Sequence, residues 1–146
     1  MINIYIYIYI MSTFEKKVLI SIKSAILFLL VNLPNTFKLT SKLLKLNLYN
    51  KYCVTNLGLI IHTLVFFSLT YLSMSKSKIN KLIKLKHSIY GTLIYYLLSS
   101  PAIYYISYLL FGNIVSNING CYTINGLLIH SVLYCLSLIG IMYLPN

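Results

Sequence analysis

The sequence predicts an all-α polytopic membrane protein, with four transmembrane helices or at least three. Hydrophobic residues make up 59% of the chain and charged residues only 9%, whereas soluble domains carry about 25% charged residues. A chain this apolar would expose large apolar patches to water, and it contains several uncharged stretches of transmembrane length. The lipid bilayer is therefore its expected surroundings, and we expect an integral membrane protein.

The N-terminal segment, residues 1–17, is predicted to be a low-complexity leader without a folded role. From Ile2 to Ile10, isoleucine alternates with asparagine or tyrosine. This period of two is that of a strand, but both alternating partners include apolar or aromatic residues, so no polar face is specified. An edge or interfacial strand is the alternative interpretation.

The first apolar stretch, residues 18–33, is short for a membrane span. At about 1.5 Å per residue it reaches ~24 Å, less than the ~30 Å hydrocarbon core. It can cross only if Lys23 extends its ammonium toward the side of Lys16 and Lys17. Together with a lysine-bearing interfacial helix, it forms the predicted second segment, residues 18–52.

The third segment, residues 53–146, is predicted to be the membrane helical core. It holds three further apolar stretches, residues 53–74, 89–115 and 121–144. The second of these is interrupted at Pro101, which predicts either a kinked long helix or a helix resumed after a break. Ser99 and Ser100 are placed to satisfy the backbone groups that a proline leaves open.

Two connectors carry lysines beside leucines and predict helices in the headgroup layer. They are residues 37–49 and 77–87, and the predicted membrane-surface residues are Lys38, Lys42, Lys45, Lys81 and Lys84. Attraction to anionic lipids is worth about 1 kcal/mol per lysine near the surface. Ordinary anchoring beside the spans is the simpler interpretation.

Lysine counts favour both termini in the cytoplasm. With four spans, seven lysines lie on the N-terminal side and four on the other: Lys16, Lys17, Lys76, Lys78, Lys81, Lys84 and Lys86 against Lys38, Lys42, Lys45 and Lys51.

The formal charge of +11 does not indicate nucleic-acid binding, because the lysines flank apolar spans and the chain lacks arginine, the usual reader of bases.

The residue inventory predicts a protein that is not an enzyme, without cofactor or metal. Glu15 is the one acidic residue, so a carboxylate pair for acid–base chemistry cannot be assembled. His62 and His130 lie inside predicted spans, where an ionisable group suggests a metal site or a proton relay. We favour a structural role, in which each neutral ring donates a hydrogen bond to a carbonyl of a neighbouring helix.

The three cysteines do not show the spacing of a zinc site. We interpret them as free thiols that are buried or interfacial. Cys53 and Cys121 would lie at the same membrane face in the four-span arrangement, so a disulfide is the alternative if that face is lumenal.

Tyrosines of the uncharged part predict helix packing. Tyr90 and Tyr122 fall at span ends, as interfacial belts require. The deeper adjacent pairs place hydroxyls on two faces of the third span, and each buried hydroxyl needs a partner. The predicted packing or partner residues are Tyr90, Gly91, Tyr95, Tyr96, Pro101, Tyr104, Tyr105 and His130.

Residues 88–146 resemble a known two-span protein. The run Ile89-Tyr90-Gly91, the apolar span after it, Asn117 and Gly120 in the connector, and the final span resemble subunit P of the complex that transfers N-acetylglucosamine to phosphatidylinositol in GPI-anchor synthesis. A small subunit of the endoplasmic reticulum membrane protein insertion complex is resembled about equally. The resemblance to subunit P implies a non-catalytic subunit of the endoplasmic reticulum membrane that helps assemble a glycosyltransferase, with the sugar chemistry done on a partner subunit.

The function expected from these observations is that of a non-catalytic accessory subunit of a larger membrane complex. A small channel or transporter, with Pro101, His62 and His130 lining a path, is the alternative. A membrane protein without defined activity is the third possibility.

Overall fold

A computed structural model describes residues 2–50, 53–74 and 81–143, with side chains from Phe14 onward. Its helices are α1 Ile2–Asn32, α2 Pro34–Leu44, α3 Asn56–Ser73, α4 Lys81–Ser99, α5 Pro101–Phe111 and α6 Ile124–Ile141. A short hairpin, β1 (Tyr49–Asn50) and β2 (Cys53–Val54), joins α2 to α3. The predicted all-α class is confirmed.

The described residues contain two to four candidate spans. α3 and α6 are each long and apolar enough to cross a membrane alone. The pair α1 and α2, bent by 57°, and the pair α4 and α5, bent by 55°, meet the same criterion when each pair counts as one broken span. A polytopic helical protein, with the predicted four spans as the upper number, follows.

The predicted break at Pro101 is confirmed. Proline has no N–H to donate to the carbonyl of Leu97, and the Ser100 hydroxyl donates to that oxygen instead at 2.8 Å. The hydroxyl oxygen of Ser99 accepts from the Asn32 side chain at 3.0 Å.

The N-terminal leader is helical, so its interpretation as a strand is wrong. α1 runs without interruption from Ile2 to Asn32, and residue 17 marks no boundary in the backbone. The alternating segment has no polar face that a strand could present to water. Because its residues are almost all apolar or aromatic, they fit a helix in an apolar environment equally well.

Both predicted connectors need correction. The first helix exists, but it begins at Pro34, a favoured first helical residue, and ends before Lys45, whose φ is +54°. Tyr49 belongs to β1, beyond the helix. In the second connector, Lys81 to His87 form the first turns of α4 and no separate helix. Residues 75–80 lie outside the described part of the chain.

Four aromatic rings fill the centre of the bundle. Phe28, Phe66, Tyr95 and Tyr134 are fully buried and come one each from α1, α3, α4 and α6. Phe28 stacks on Tyr134 at 4.9 Å and Phe66 on Tyr95 at 4.2 Å between centroids. Edge-on contacts of 5.4 Å and 5.8 Å close the square. The bundle therefore has a packed aromatic core.

The chain consists of two halves with the same architecture. In each half a helix breaks at a proline, a short helix and a tight connector follow, and a Thr-capped helix returns. The capped helices open with similar sequences, Thr-Asn-Leu-Gly-Leu-Ile-Ile-His at 55–62 and Thr-Ile-Asn-Gly-Leu-Leu-Ile-His at 123–130. Both halves run in the same direction, so a pseudo-two-fold axis parallel to the spans relates them.

Corresponding residues meet at this axis. Asn32 and Ser99, each two residues before a proline, are hydrogen-bonded, and Cys53 and Cys121, each two residues before a capping threonine, form a disulfide with a Cα–Cα distance of 4.8 Å. The interpretation of these two cysteines as free thiols is wrong. Spacing along the chain does not reveal a pairing that depends on how the halves pack; Cys135 is free.

We expect replacement of Cys53 and Cys121 by serine to lower the free energy of unfolding by about 2–4 kcal/mol, because the disulfide restricts the unfolded chain. Unfolding by SDS in mixed micelles, followed by circular dichroism, measures this change. Cys135→Ser, outside the disulfide, is the matched control. Equal unfolding midpoints for the double variant and the control would contradict a stabilising disulfide.

Candidate functional site

The first histidine cluster surrounds His130 of α6, which is fully buried. Its Nδ1 lies 2.8 Å from the carbonyl oxygen of Leu98, and its Nε2 lies 3.0 Å from the hydroxyl of Ser107. The imidazole stacks on the ring of Tyr104 at 3.9 Å between centroids. One side chain of α6 thus contacts both sides of the α4–α5 break.

Local capping positions this histidine. The hydroxyl of Thr123 accepts from the N–H of Gly126 at 3.0 Å, and the N–H of Thr123 donates to the carbonyl of Val115 at 2.9 Å. Gly126 lies directly against that Val115 backbone. This close approach fixes the start of α6, so that the residue about two turns later, His130, faces the break.

The second cluster repeats the first in the other half of the chain. His62 of α3 is fully buried, with Nδ1 2.8 Å from the carbonyl oxygen of Val31 and Nε2 2.8 Å from the hydroxyl of Thr40. Its ring stacks on Phe37 at 3.6 Å between centroids. Thr55 caps the start of α3 by accepting from the N–H of Gly58, as Thr123 does at the start of α6.

Both clusters satisfy backbone groups at a helix break. In an unbroken helix, the carbonyls of Val31 and Leu98 would accept from N–H groups four residues later. The breaks remove those donors. A carbonyl oxygen only accepts, so Nδ1 of each histidine carries the proton that it donates. The hydroxyl of Thr40 or Ser107 that faces Nε2 also lies 3.0 Å from a carbonyl oxygen one turn earlier in its own helix. The geometry therefore matches the favoured structural interpretation of the histidines.

The two clusters are separate. His62 and His130 contact different residues throughout, so the structure does not bring them together as a shared metal site or relay. Among the described residues, no group of three His, Cys, Asp or Glu side chains could hold a metal ion.

Asn32 links the halves between the clusters. Its side-chain NH₂ donates to the Phe28 carbonyl and the Ser99 hydroxyl, each at 3.0 Å. Its side-chain oxygen accepts from the Tyr95 hydroxyl at 3.2 Å, and its backbone carbonyl accepts from the Tyr122 hydroxyl at 2.7 Å. Tyr122, which the sequence predicts for an interfacial belt, is partly buried and contacts the other half of the chain through this bond.

Seven of the eight predicted packing residues fall into two groups, one buried and one exposed. Gly91, Tyr95, Tyr104 and His130 are buried, and the Gly91 carbonyl accepts from the Tyr134 hydroxyl at 3.3 Å. The exposed group consists of Tyr90, Tyr96 and Tyr105, each with 42% of its surface accessible. Pro101 begins α5 and is partly exposed.

The predicted membrane-surface lysines are mostly exposed. Lys38, Lys42, Lys45 and Lys81 are exposed, and Lys84 is partly buried. Lys38 and Lys42 belong to α2, Lys45 follows it, and Lys81 begins α4.

Sequence reasoning missed the pairing of Asn32 with Ser99 and the equivalence of the two histidines. A usable signal was present: threonine, glycine and histidine recur at the same spacing in 55–62 and 123–130, and a proline precedes each group. Comparison of the chain with protein-family models, curated proteins and solved structures found no match.

Proposed function

We propose that the protein is a non-catalytic accessory subunit of a larger membrane complex. The observation that carries the proposal is the commitment of both ring nitrogens of His62 and of His130 to contacts within the chain. Histidine is the conventional catalytic side chain inside the spans, but both histidines here contact the open carbonyls at the helix breaks. Their arrangement supports a scaffold.

The disulfide supports a membrane of the secretory pathway. Disulfides persist in oxidising compartments such as the endoplasmic reticulum lumen. Cys53 and Cys121 lie at the end of the bundle opposite to Lys17, whose ammonium donates to the Met142 carbonyl at 2.8 Å. An oxidising face at the disulfide end leaves both termini on the cytoplasmic side, in agreement with the lysine count.

The complex proposed on the sequence resemblance is the N-acetylglucosaminyltransferase of GPI-anchor synthesis in the endoplasmic reticulum. The resemblance rests on residues 88–146, which form α4, α5 and α6. In this proposal the sugar chemistry belongs to another chain, and this protein packs against it.

A transporter is the second candidate, favoured by one observation. Proline-interrupted helices at corresponding positions of two repeated halves are typical of transporters. Against it, the centre where the halves meet is filled by the rings of Phe28, Phe66, Tyr95 and Tyr134, which leaves a substrate path to be created by movement.

Purification of the tagged full chain in mild detergent tests the two candidates. An accessory subunit migrates on native gels with a larger membrane protein at fixed stoichiometry, and the isolated chain leaves liposomes impermeable to ions. Migration as a homo-oligomer that conducts ions in liposomes would overturn the proposal in favour of transport. A chain that migrates without a partner and does not conduct ions would overturn both candidate functions.

A further inference from the structure

Ser21 of α1 and Ser88 of α4 are corresponding residues in the same state. Each lies 11 residues before the residue that meets its counterpart at the axis, Asn32 or Ser99. Both side chains are fully buried, with 0% and 1% of their surfaces accessible. Within the described part of the chain, neither hydroxyl has a hydrogen-bond partner. Because this state occurs at two corresponding positions, it belongs to the fold of each half.

Both serines face the pseudo-two-fold axis. Residues 21, 28 and 32 are spaced by seven and four, so they share one face of α1, and residues 88, 95 and 99 share one face of α4. On these faces Phe28 contacts Tyr95 edge-on at 5.4 Å between centroids, and the next pair is hydrogen-bonded. Ser21 and Ser88 therefore lie on the axial side of their helices, about 10 Å from the rings and away from the disulfide.

The two hydroxyls do not follow the usual pattern of helical serine and threonine. A buried hydroxyl in a helix commonly donates to a carbonyl three or four residues earlier. Thr70 and Ser131, which are also buried, do so at 2.9 Å and 2.7 Å. An unpaired hydroxyl among apolar side chains is costly, because nothing replaces the hydrogen bonds that it loses with water. Ser21 and Ser88 thus point to a polar occupant.

Small side chains define this layer of the bundle. The rings of Phe28 and Tyr95 fill the space between α1 and α4 two turns away, so we expect space where serines replace rings, and the two serine hydroxyls do not bond to each other. Thr92, four residues after Ser88 on α4, adds a third buried hydroxyl without a partner among the described residues. A buried water typically makes about three hydrogen bonds to such groups.

We propose that Ser21, Ser88 and Thr92 form a binding site for ordered water on the pseudo-two-fold axis. The occupant is enclosed by the bundle, so it is small. Lys17 and Lys84 lie one turn before the two serines, and the chain contains a single acidic residue, so the local charge disfavours a cation. Water is neutral and both donates to and accepts from hydroxyl groups, as three hydroxyls around one position require.

Water-edited solid-state NMR of the full chain in lipid bilayers tests the occupancy. Magnetisation that starts on water should reach the Cβ atoms of Ser21 and Ser88, whose signals are assigned by their loss in Ser21→Ala and Ser88→Ala. Ser131 is the matched control, because it is buried but its hydroxyl donates to the Leu128 carbonyl, so its signal should build up more slowly. Build-up at Ser21 and Ser88 no faster than at Ser131 would overturn the proposal.

The double variant Ser21→Ala/Ser88→Ala gives a test whose sign decides. If the hydroxyls hold water, their removal loses hydrogen bonds, and unfolding occurs at a lower SDS fraction. If they are dry, their removal relieves two unpaired buried groups, and the midpoint rises. Ser68→Ala is the control for the gain in helix propensity, since the exposed Ser68 hydroxyl donates to the Leu64 carbonyl. A shift in midpoint equal to or above that of the control would overturn the proposal.

Replacement of chloride by gluconate separates water from a bound anion. Hydroxyls also donate to anions, and two lysines lie one turn away, so chloride is the competing occupant. The SDS midpoint of the wild-type chain should be the same in both salts at equal ionic strength. A midpoint that falls without chloride in the wild-type chain, but not in Ser21→Ala/Ser88→Ala, would overturn the proposal in favour of chloride. If the double variant does not form the disulfide, the NMR build-up in the wild-type chain decides.

Discussion

Gly126→Ala is expected to lower the free energy of unfolding by about 3 kcal/mol, the upper end of the usual cost of overpacking. The methyl group would lie against the Val115 backbone, which is held by the hydrogen bond from the Thr123 N–H and cannot yield as a side chain does. Overpacking against rigid backbone typically costs about 1–3 kcal/mol and sometimes more. SDS titration in mixed micelles, followed by circular dichroism, measures the loss.

Gly140→Ala is the matched control on the same helix. A Cβ at position 140 meets no atom within 4 Å, so the gain in helix propensity, up to ~1 kcal/mol, remains. Gly58→Ala, where the methyl group would meet the Leu48 backbone, should behave like Gly126→Ala. Equal midpoints for Gly126→Ala and Gly140→Ala would contradict the close approach that positions α6.

His130→Phe is expected to cost about 1–3 kcal/mol, the penalty for leaving a buried polar group without a partner. Phenylalanine keeps a ring against Tyr104 but cannot donate to the Leu98 carbonyl, which His130 contacts at 2.8 Å. The same SDS titration measures the change. His87→Phe is the control, because His87 is exposed on α4.

Substitution of both histidines tests whether their clusters are two independent structural sites or one shared chemical site. His62 has its own carbonyl and hydroxyl partners, so the effects of His62→Phe and His130→Phe should add, as they do for independent sites. Strong non-additivity, or a metal ion retained by the wild-type protein and lost by either variant, would contradict two separate structural clusters.

The helical class and the approximate positions of the spans follow from composition and uncharged length. The break at Pro101 was predictable, because that proline interrupts a longer apolar run. The equivalent break at Pro34 is harder to predict, because the lysines after this proline indicate the end of the apolar stretch, whereas α2 continues beyond the bend.

The disulfide and the Asn32–Ser99 contact join residues far apart along the chain. Such pairs depend on how the halves pack, and local periodicity carries no information on packing. The recurrence of threonine, glycine and histidine does carry some information on packing, because two segments with the same capping residues begin their helices in the same way. It could have indicated two equivalent halves, though not which side chains meet between them.

Cys53 and Cys121 are each other's counterparts in the two halves and form one disulfide. In a symmetric dimer, a residue on the two-fold axis faces its own copy. A polypeptide consisting of one such half would need a single cysteine, and oxidation would join it covalently to its twin. The present protein holds both cysteines in one continuous chain. The disulfide is therefore intramolecular, and its formation does not depend on protein concentration.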